Sequence, residues 1–358
     1  CIVLMMVTAY TISRMVNKAH ISLSRIAPQL GSLSNSIQLI EETSFESSYL
    51  QQVKAHFANK PRRASDEITS LTRILERFDY KLNFIIHIPL NTFLFWDLQQ
   101  LFSLEKWKKR NKKFVTGWFR GLALMEAASC FGTLSFNHPG WTYPVISKDA
   151  GVFDSVELGH PLISPAKRVT NSFTTKGLAQ LNMITGSNMA GKSTFLRSAG
   201  INMVLALAGA PVCASKLEVS YMKVMSSMRI SDNLEESTST FYAELKKLKE
   251  IIDAVNNKER VFLLLDEILR GTNSADRHTG SKALVRQLIH HEATGMLATH
   301  DLELSKMAAA FPVSIRNYHF DVQVANEELY FDYKLKEGVC QSMNASLLMK
   351  KIGIELDE

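Results

Sequence analysis

The run Gly186-Ser187-Asn188-Met189-Ala190-Gly191-Lys192-Ser193 decides the reading of this chain. It fits the pattern G-x-x-x-x-G-K-[ST], and its neighbours fit as well. Before it, Leu181 to Thr185 is an apolar run that reads as a buried strand. After it, Phe195, Leu196, Ala199, Met203, Val204 and Leu207 recur at helical spacing. A glycine-rich turn from strand to helix lets the backbone approach an anion closely, and the helix start adds partial positive charge. Lys192 is placed to reach the outer phosphates of a nucleotide and the Ser193 hydroxyl to ligate Mg²⁺.

Hydrolysis needs a metal anchor and a group that activates water, and a second stretch offers both. Val261-Phe-Leu-Leu-Leu265 reads as a central strand running into Asp266-Glu267. Asp266 is expected beside the metal, and Glu267 is expected to polarise the attacking water. A third strand, Met296 to Thr299, ends at His300-Asp301. His300 then sits on the same rim, where ligands of open parallel sheets bind, unless it is merely a satisfied strand-end histidine. Ser237-Thr-Ser-Thr-Phe-Tyr-Ala-Glu244 opens a further helix with Phe241, Leu245, Leu248, Ile251, Ile252 and Val255 on its apolar face. On spacing alone, its hydroxyls are helix caps.

Composition bounds the rest. The chain has 358 residues, 46% of them hydrophobic and 21% charged, which is neither a disordered nor a fibrous profile. Its net charge of +6 suits an acidic partner such as nucleic acid or an anionic membrane surface. The four cysteines, Cys1, Cys130, Cys213 and Cys340, form no C-x-x-C pair, so neither a zinc site nor a disulfide framework is indicated, and a reducing cytosol fits.

Residues 1–135 show helical spacing, as in Ile68, Leu71, Ile74, Leu75 and Phe78, and read as an all-α domain. Phe136 to Pro144 breaks the pattern with two prolines and a glycine. Residues 136–358 alternate strands and helices, the pattern of an α/β domain with a mostly parallel sheet. Tyr318, Phe320, Val322 and Val324, then Leu329, Phe331, Tyr333 and Leu335, read as an edge hairpin. Leu82 to Leu98 is largely apolar, interrupted by Asn83, His87, Pro89, Asn91 and Asp97, and is expected to be a buried core helix rather than a membrane-embedded one. The apolar start, Cys1 to Val7, reads as the end of a longer hydrophobic segment.

Taken together, these motifs resemble the ATPase domain of the MutS family of DNA mismatch-repair proteins, within the ABC-type P-loop ATPases. The resemblance runs from about Val156 to Ile354. It is carried by Gly159-His-Pro-Leu162, Asn171, Thr185 to Thr194, Ser239-Thr-Phe241 with Glu244, Asp266-Glu-Ile-Leu-Arg-Gly-Thr272, Asp276 and Ala298-Thr-His300. The short spacing from Lys192 to Asp266 leaves no room for the larger helical insertion of transporter-type relatives. The resemblance implies ATP and Mg²⁺, the latter held by Ser193 and Asp266. It implies nucleotide contacts from Gly186 through Thr194 with Asn171 and Arg168, where Arg168 falls at the family's adenine-stacking position. It implies catalytic roles for Lys192, Glu267, His300 and Ser239, with Ser239 acting in trans across a nucleotide-sandwich homodimer and Asn273 to Asp276 lying along that interface. The helical half is then the end of the family's core and lever helices.

The resemblance also implies double-stranded DNA as partner, although the Phe-x-Glu of a mismatch wedge is missing from the sequence. Lys106, Lys108, Lys109, Arg110, Lys112 and Lys113, interleaved with Trp107, Phe114 and Trp118, form the densest basic cluster. Three readings stand for it: a phosphate-tracking DNA face, a solvated helix face with the aromatics turned inward, or an anionic-lipid contact. A cytoplasmic location is expected. The alternative is a switch tethered to the inner face of a membrane by the region before Cys1 and acting on a protein partner.

Overall fold

The computed structural model describes residues 27–58, 62–187, 189–228, 240–325 and 328–340, together with Thr8 and Thr11. The chain divides into two compact units, Cys1–Gly132 and Thr133–Glu358.

The described part of the first unit is helical. It comprises α1 (Ala27–Glu42), α2 (Ser48–Ala55), α3 (Ala64–Phe78), a 3₁₀ turn (Asp79–Leu82), α4 (Phe84–Leu94), α5 (Trp96–Asn111) and α6 (Val115–Asn137), the last crossing the unit boundary. The periodic face of α3 is buried as its spacing predicts: Ile68, Leu71, Ile74, Leu75 and Phe78 pack with Ile37, Phe57, Leu104 and Trp118. Acidic Asp66 and Glu67 in its first turn and Arg77 in its last complement the helix dipole.

Helix α4 corrects the expectation of a buried core helix. Ile85 is 85% exposed and Phe93 61%, and Ile86 and Leu94 are also open to solvent, whereas Asn91 and Thr92 are buried. The inversion has a local cause. Asp97 is fully buried, so the polar side of α4 must turn inward to meet it. His87 Nε2 lies 3.1 Å from Asp97 Oδ1, and Asn91 Oδ1 accepts from the Asp97 amide at 3.2 Å. A buried carboxylate without such partners would be costly, so its satisfaction decides which face of α4 faces out. Among the described residues, no helix is long and apolar enough to cross a membrane.

The second unit is mixed α/β. Its strands are β1 (Val145–Ser147), β2 (Phe153–Leu158), β3 (Asn171–Thr175), β4 (Leu181–Thr185), β5 (Lys216–Ser220), β6 (Lys223–Ser227), β7 (Val261–Asp266), β8 (Thr294–Ala298), β9 (Ile315–Phe320), β10 (Gln323–Ala325), β11 (Glu328–Tyr330) and β12 (Leu335–Glu337). Its helices are α7 (Lys192–Leu207), α8 (Thr240–Asn256), α9 (Ser274–His290) and the short α10 (Leu302–Ser305). The main sheet has the order β12-β9-β4-β8-β7-β6, parallel throughout except for the antiparallel β12 at one edge. A second sheet has the order β1-β5-β2-β3.

Both faces of the main sheet are covered, which explains why every residue of β4, β7 and β8 is buried, Asn182 and Thr294 included. Phe262 and Leu264 point to the side packed by Phe195, Leu196, Ala199 and Met203 of α7. Leu263 and Leu265 point to the side packed by Leu248, Ile251 and Val255 of α8 and by Leu284, Val285 and Leu288 of α9. Not every predicted apolar position is inside: Val204 of α7 is 50% exposed and Leu245 of α8 39%.

The edge-hairpin expectation is corrected too. Tyr318 and Phe320 belong to β9, a parallel neighbour of β4 inside the main sheet. The hairpin is the separate ribbon β10–β11, and β12 closes the sheet edge. Alternating polarity marks strands but not which strand each will pair with.

Candidate nucleotide site

Three parallel strands that are neighbours in space, β4, β8 and β7, end side by side, and each delivers part of the site. From β4 the chain turns through Gly186, whose φ of 143° suits glycine and where a Cβ would stand 2.8 Å from the Phe320 carbonyl oxygen. It then enters α7 behind Gly191, at φ 109°. Met189, at φ 70°, is 80% exposed, and Ala190 is buried under the loop. Asn188 lies outside the described residues.

Lys192 opens α7 and folds back over the loop. Its ammonium donates to the Gly186 carbonyl at 2.7 Å and the Ser187 carbonyl at 2.9 Å, and it stands 3.9 Å from Glu267 Oε1. Burial holds its proton affinity below the ordinary lysine range, partly offset by Asp266. Asp266 ends β7 with Oδ1 buried and, among the described residues, without a hydrogen-bond partner. A buried carboxylate oxygen left free of protein donors, with the half-buried Ser193 lining the same cavity, is the donor chemistry that a hard divalent cation takes. Among the described residues no cluster of three or more His, Cys, Asp or Glu competes with it. Magnesium rarely asks for more than one or two protein oxygens.

Glu267 follows in the left-handed region at φ 50°, its amide anchored on the Ala298 carbonyl at 2.9 Å. A non-glycine residue there persists only when its surroundings over-determine it. Its carboxylate is in direct contact with the Arg270 guanidinium, with His300 Nδ1 at 3.5 Å. His300, just beyond β8, is held below the ordinary histidine proton affinity, first by burial and then by Arg277, Lys192 and Arg270. It is therefore a neutral imidazole near pH 7.

A cavity of about 870 Å³ opens on this rim. Ser187, Met189, Gly191, Lys192, Ser193, Thr194, Asn171, Asp266 and Glu267 line it. Arg168 does not: its guanidinium donates to the Ile163 carbonyl at 3.0 and 2.7 Å and lies over the Trp141 ring at 5.9 Å. Lys167 and Val169 on either side face the cavity instead. Asn171 spends both ends of its amide on the chain, donating to the Tyr333 carbonyl and accepting from the Leu335 amide. His300 lines an adjoining hollow with Glu267, Arg270 and Arg277. Ser239 lies outside the described residues, as do the residues from 341 onward. Asn273 to Asp276 does not form a loop: Asn273 caps α9 by accepting from the Asp276 amide at 2.9 Å.

Lys167, Arg197 and Tyr333 also line the cavity although no motif marked them, and Arg270 was quoted within the Asp266 to Thr272 stretch without a role. Tyr333 packs against the glycine loop, its ring 3.3 Å from where a Cβ on Gly191 would sit. Its signal was an aromatic flanked by Asp332 and Lys334, which reads equally well as a strand position.

In the first unit, the aromatic-interleaved basic stretch resolves by residue. Trp118 is buried, and the Trp107 indole N–H donates to the Glu67 carbonyl at 2.7 Å. Arg110 pairs with the buried Glu67 carboxylate at 2.6 Å and leaves the free positive set. Lys106, Lys108, Lys109, Lys112 and Lys113 are exposed, and so is Phe114, at 40%, which the inward reading would have buried.

Fold and rim together define a mixed α/β unit in which a glycine loop joins a central parallel strand to a helix start beside an acidic strand end. Residues 182–352 match the family model of MutS domain V. The chain is 33% identical over 227 residues to the DNA mismatch repair protein MutS of Desulfatibacillum aliphaticivorans, an alignment covering 61% of this chain and 25% of the relative. It is 33% identical over 199 residues to the human MutS protein homolog 4, covering 52% and 21%. With the DNA mismatch repair protein MutS 2 of Halobacterium salinarum it shares 30% identity over 242 residues, covering 66% and 27%. The chain thus spans about a quarter of the length of these relatives.

Proposed function

We propose that this chain is a MutS-like ATPase that binds ATP with Mg²⁺ at the β4–β8–β7 rim and couples its hydrolysis to double-stranded DNA. The observation that carries the reading is the meeting of Lys192, Asp266, Glu267 and His300 on one rim from segments far apart in sequence. Bound Mg²⁺ supplies charge neutralisation of the outer phosphates, and Ser193 with the free Asp266 oxygen would hold it. The loop amides and Lys192 bind phosphate oxygens. Glu267 takes the proton of the attacking water, and the neutral His300 donates toward the outer phosphate. Arg197, Lys167 and Tyr333 line the remainder of the cavity and are assigned to the nucleoside side.

The relatives' names speak of DNA mismatch repair, and the excess of exposed lysines on α5 favours a phosphate-tracking contact. In the proposed dimer, the start of α8 with Ser239 faces the phosphates bound by the partner subunit, its helix dipole stabilising the transferring group. A second reading keeps the same nucleotide chemistry but gives a protein as partner, and the exposed apolar face of α4 favours it.

Phosphate release by the wild type and by Glu267→Gln, with and without homoduplex, mismatched and branched DNA at two salt concentrations, tests the reading. Wild-type turnover stimulated by DNA and lost in Glu267→Gln is expected. General-base assistance is worth about 10²–10⁴-fold, so equal rates in the two proteins would remove the assignment. Turnover indifferent to every DNA would transfer the partner to the protein class.

A further inference from the structure

The segment from Glu267 to Gly271 is a turn that does not hold its own shape. Glu267 and Leu269 both lie in the left-handed region, at φ 50° and 59°, although neither is glycine. Support comes from two helices. Glu244 of α8 accepts a hydrogen bond from the Leu269 amide. The same helix lays Phe241 against Gly271, where a Cβ would come within 2.5 Å of the Phe241 Cβ. From the other side, the Leu269 side chain fills the space over Gly280 of α9, where a Cβ would meet it at 2.7 Å. Arg270, between these anchors, contacts the Glu267 carboxylate.

We propose that Glu244 is a positioning residue for Glu267. This rests on the hydrolase reading above and adds the element that sets the base in place. Glu244 is not among the described residues that line the cavity; it acts through the Leu269 amide, which fixes the turn and with it the directions of Glu267 and Arg270. The turn's shape is thereby tied to the position of α8. A displacement of the α8 start moves the base without moving Lys192, which is held by its own loop carbonyls. Nucleotide affinity and chemistry are in this way separable in a single chain.

The test compares Glu244→Ala, Glu244→Met and Glu244→Gln in the whole protein. Four quantities are read: ATP affinity by calorimetry, single-turnover phosphate release, the thermal midpoint, and hydrogen exchange at the Leu269 amide without nucleotide. Gln keeps an acceptor oxygen on a side chain of the same length, whereas Met keeps the bulk and removes the acceptor. Glu244→Ala and Glu244→Met are expected to release phosphate about tenfold or more slowly, in the range of a misplaced catalytic group. ATP affinity is expected to stay unchanged while Leu269 exchange accelerates; Glu244→Gln should behave as wild type. If the alanine variant fails to fold, the methionine variant carries the comparison.

The proposal is overturned by unchanged phosphate release in the acceptor-free variants. It is equally overturned by affinity falling in step with rate, by a Gln variant as slow as Met, or by unaltered Leu269 exchange. A wild type that releases no phosphate removes the hydrolase reading itself, an outcome distinct from an active wild type with indifferent variants.

Discussion

Lys192 Nζ and Glu267 Oε1 stand 3.9 Å apart, the first fastened to the carbonyls of Gly186 and Ser187 and the second in contact with Arg270. Their side chains are only 4% and 8% exposed, so this is a cation and an anion facing each other under cover rather than a solvated pair. In the proposed mechanism an incoming triphosphate would compete for the lysine and the arginine, leaving the carboxylate to face the attacking water.

Lys192→Ala is therefore expected to weaken ATP binding sharply. A hydrogen bond to a charged group is worth about 1.5–3 kcal/mol, a tenfold to hundredfold change in Kd. Titration calorimetry with a non-hydrolysed triphosphate measures it, and equal affinity would remove the phosphate-loop assignment.

His300 should titrate below an ordinary histidine. Burial and the charges of Arg277, Lys192 and Arg270 lower its proton affinity, against the opposing pull of Asp301. Because the unfolded chain then binds the proton more readily, stability rises with pH across the window from the folded value up to the unfolded one, and it is lost as pH falls through that window. NMR titration of the His300 ring follows it, and Arg277→Ala should move its midpoint upward. A midpoint at or above that of free histidine would contradict the burial argument.

Composite sites predict a complementation pattern. Neither Ser239→Ala nor Lys192→Ala should turn over alone, while the mixed dimer regains one working site, with Lys192 from one protomer and Ser239 from the other. Phosphate release from mixtures at varied ratios checks this. No recovery in a mixture shown to contain heterodimer would place Ser239 in its own chain's site.

The exposed lysines of α5 and the turn after it should carry the salt dependence of DNA binding. Each neutralised phosphate contributes about −0.9 to the slope of log affinity against log salt. Replacing Lys106, Lys109, Lys112 and Lys113 with Gln should flatten that slope, whereas Arg110→Gln should mainly cost stability, since its guanidinium serves the buried Glu67. An unaltered slope would return the lysines to the role of a solvated face.

The sequence alone determined whatever depends on neighbours along the chain. The apolar strands ending at Thr185, Asp266 and Ala298, the glycine turn into α7 and the helical period of α3 are local patterns, and the backbone follows them. Because parallel strands align their carboxyl ends, those local facts already implied one shared rim. The tertiary structure decided what depends on partners distant in sequence. Asp97 needed His87 and Asn91, and that need turned the apolar side of α4 outward against its hydropathy. Arg168 found Ile163 and Trp141 before any base, Tyr333 reached the phosphate loop by way of Asn171, and Glu244 met Leu269 through the stacking of α8 on the sheet. A buried polar group is satisfied by whichever partner the packing brings within about 3 Å, and periodicity carries no record of that choice.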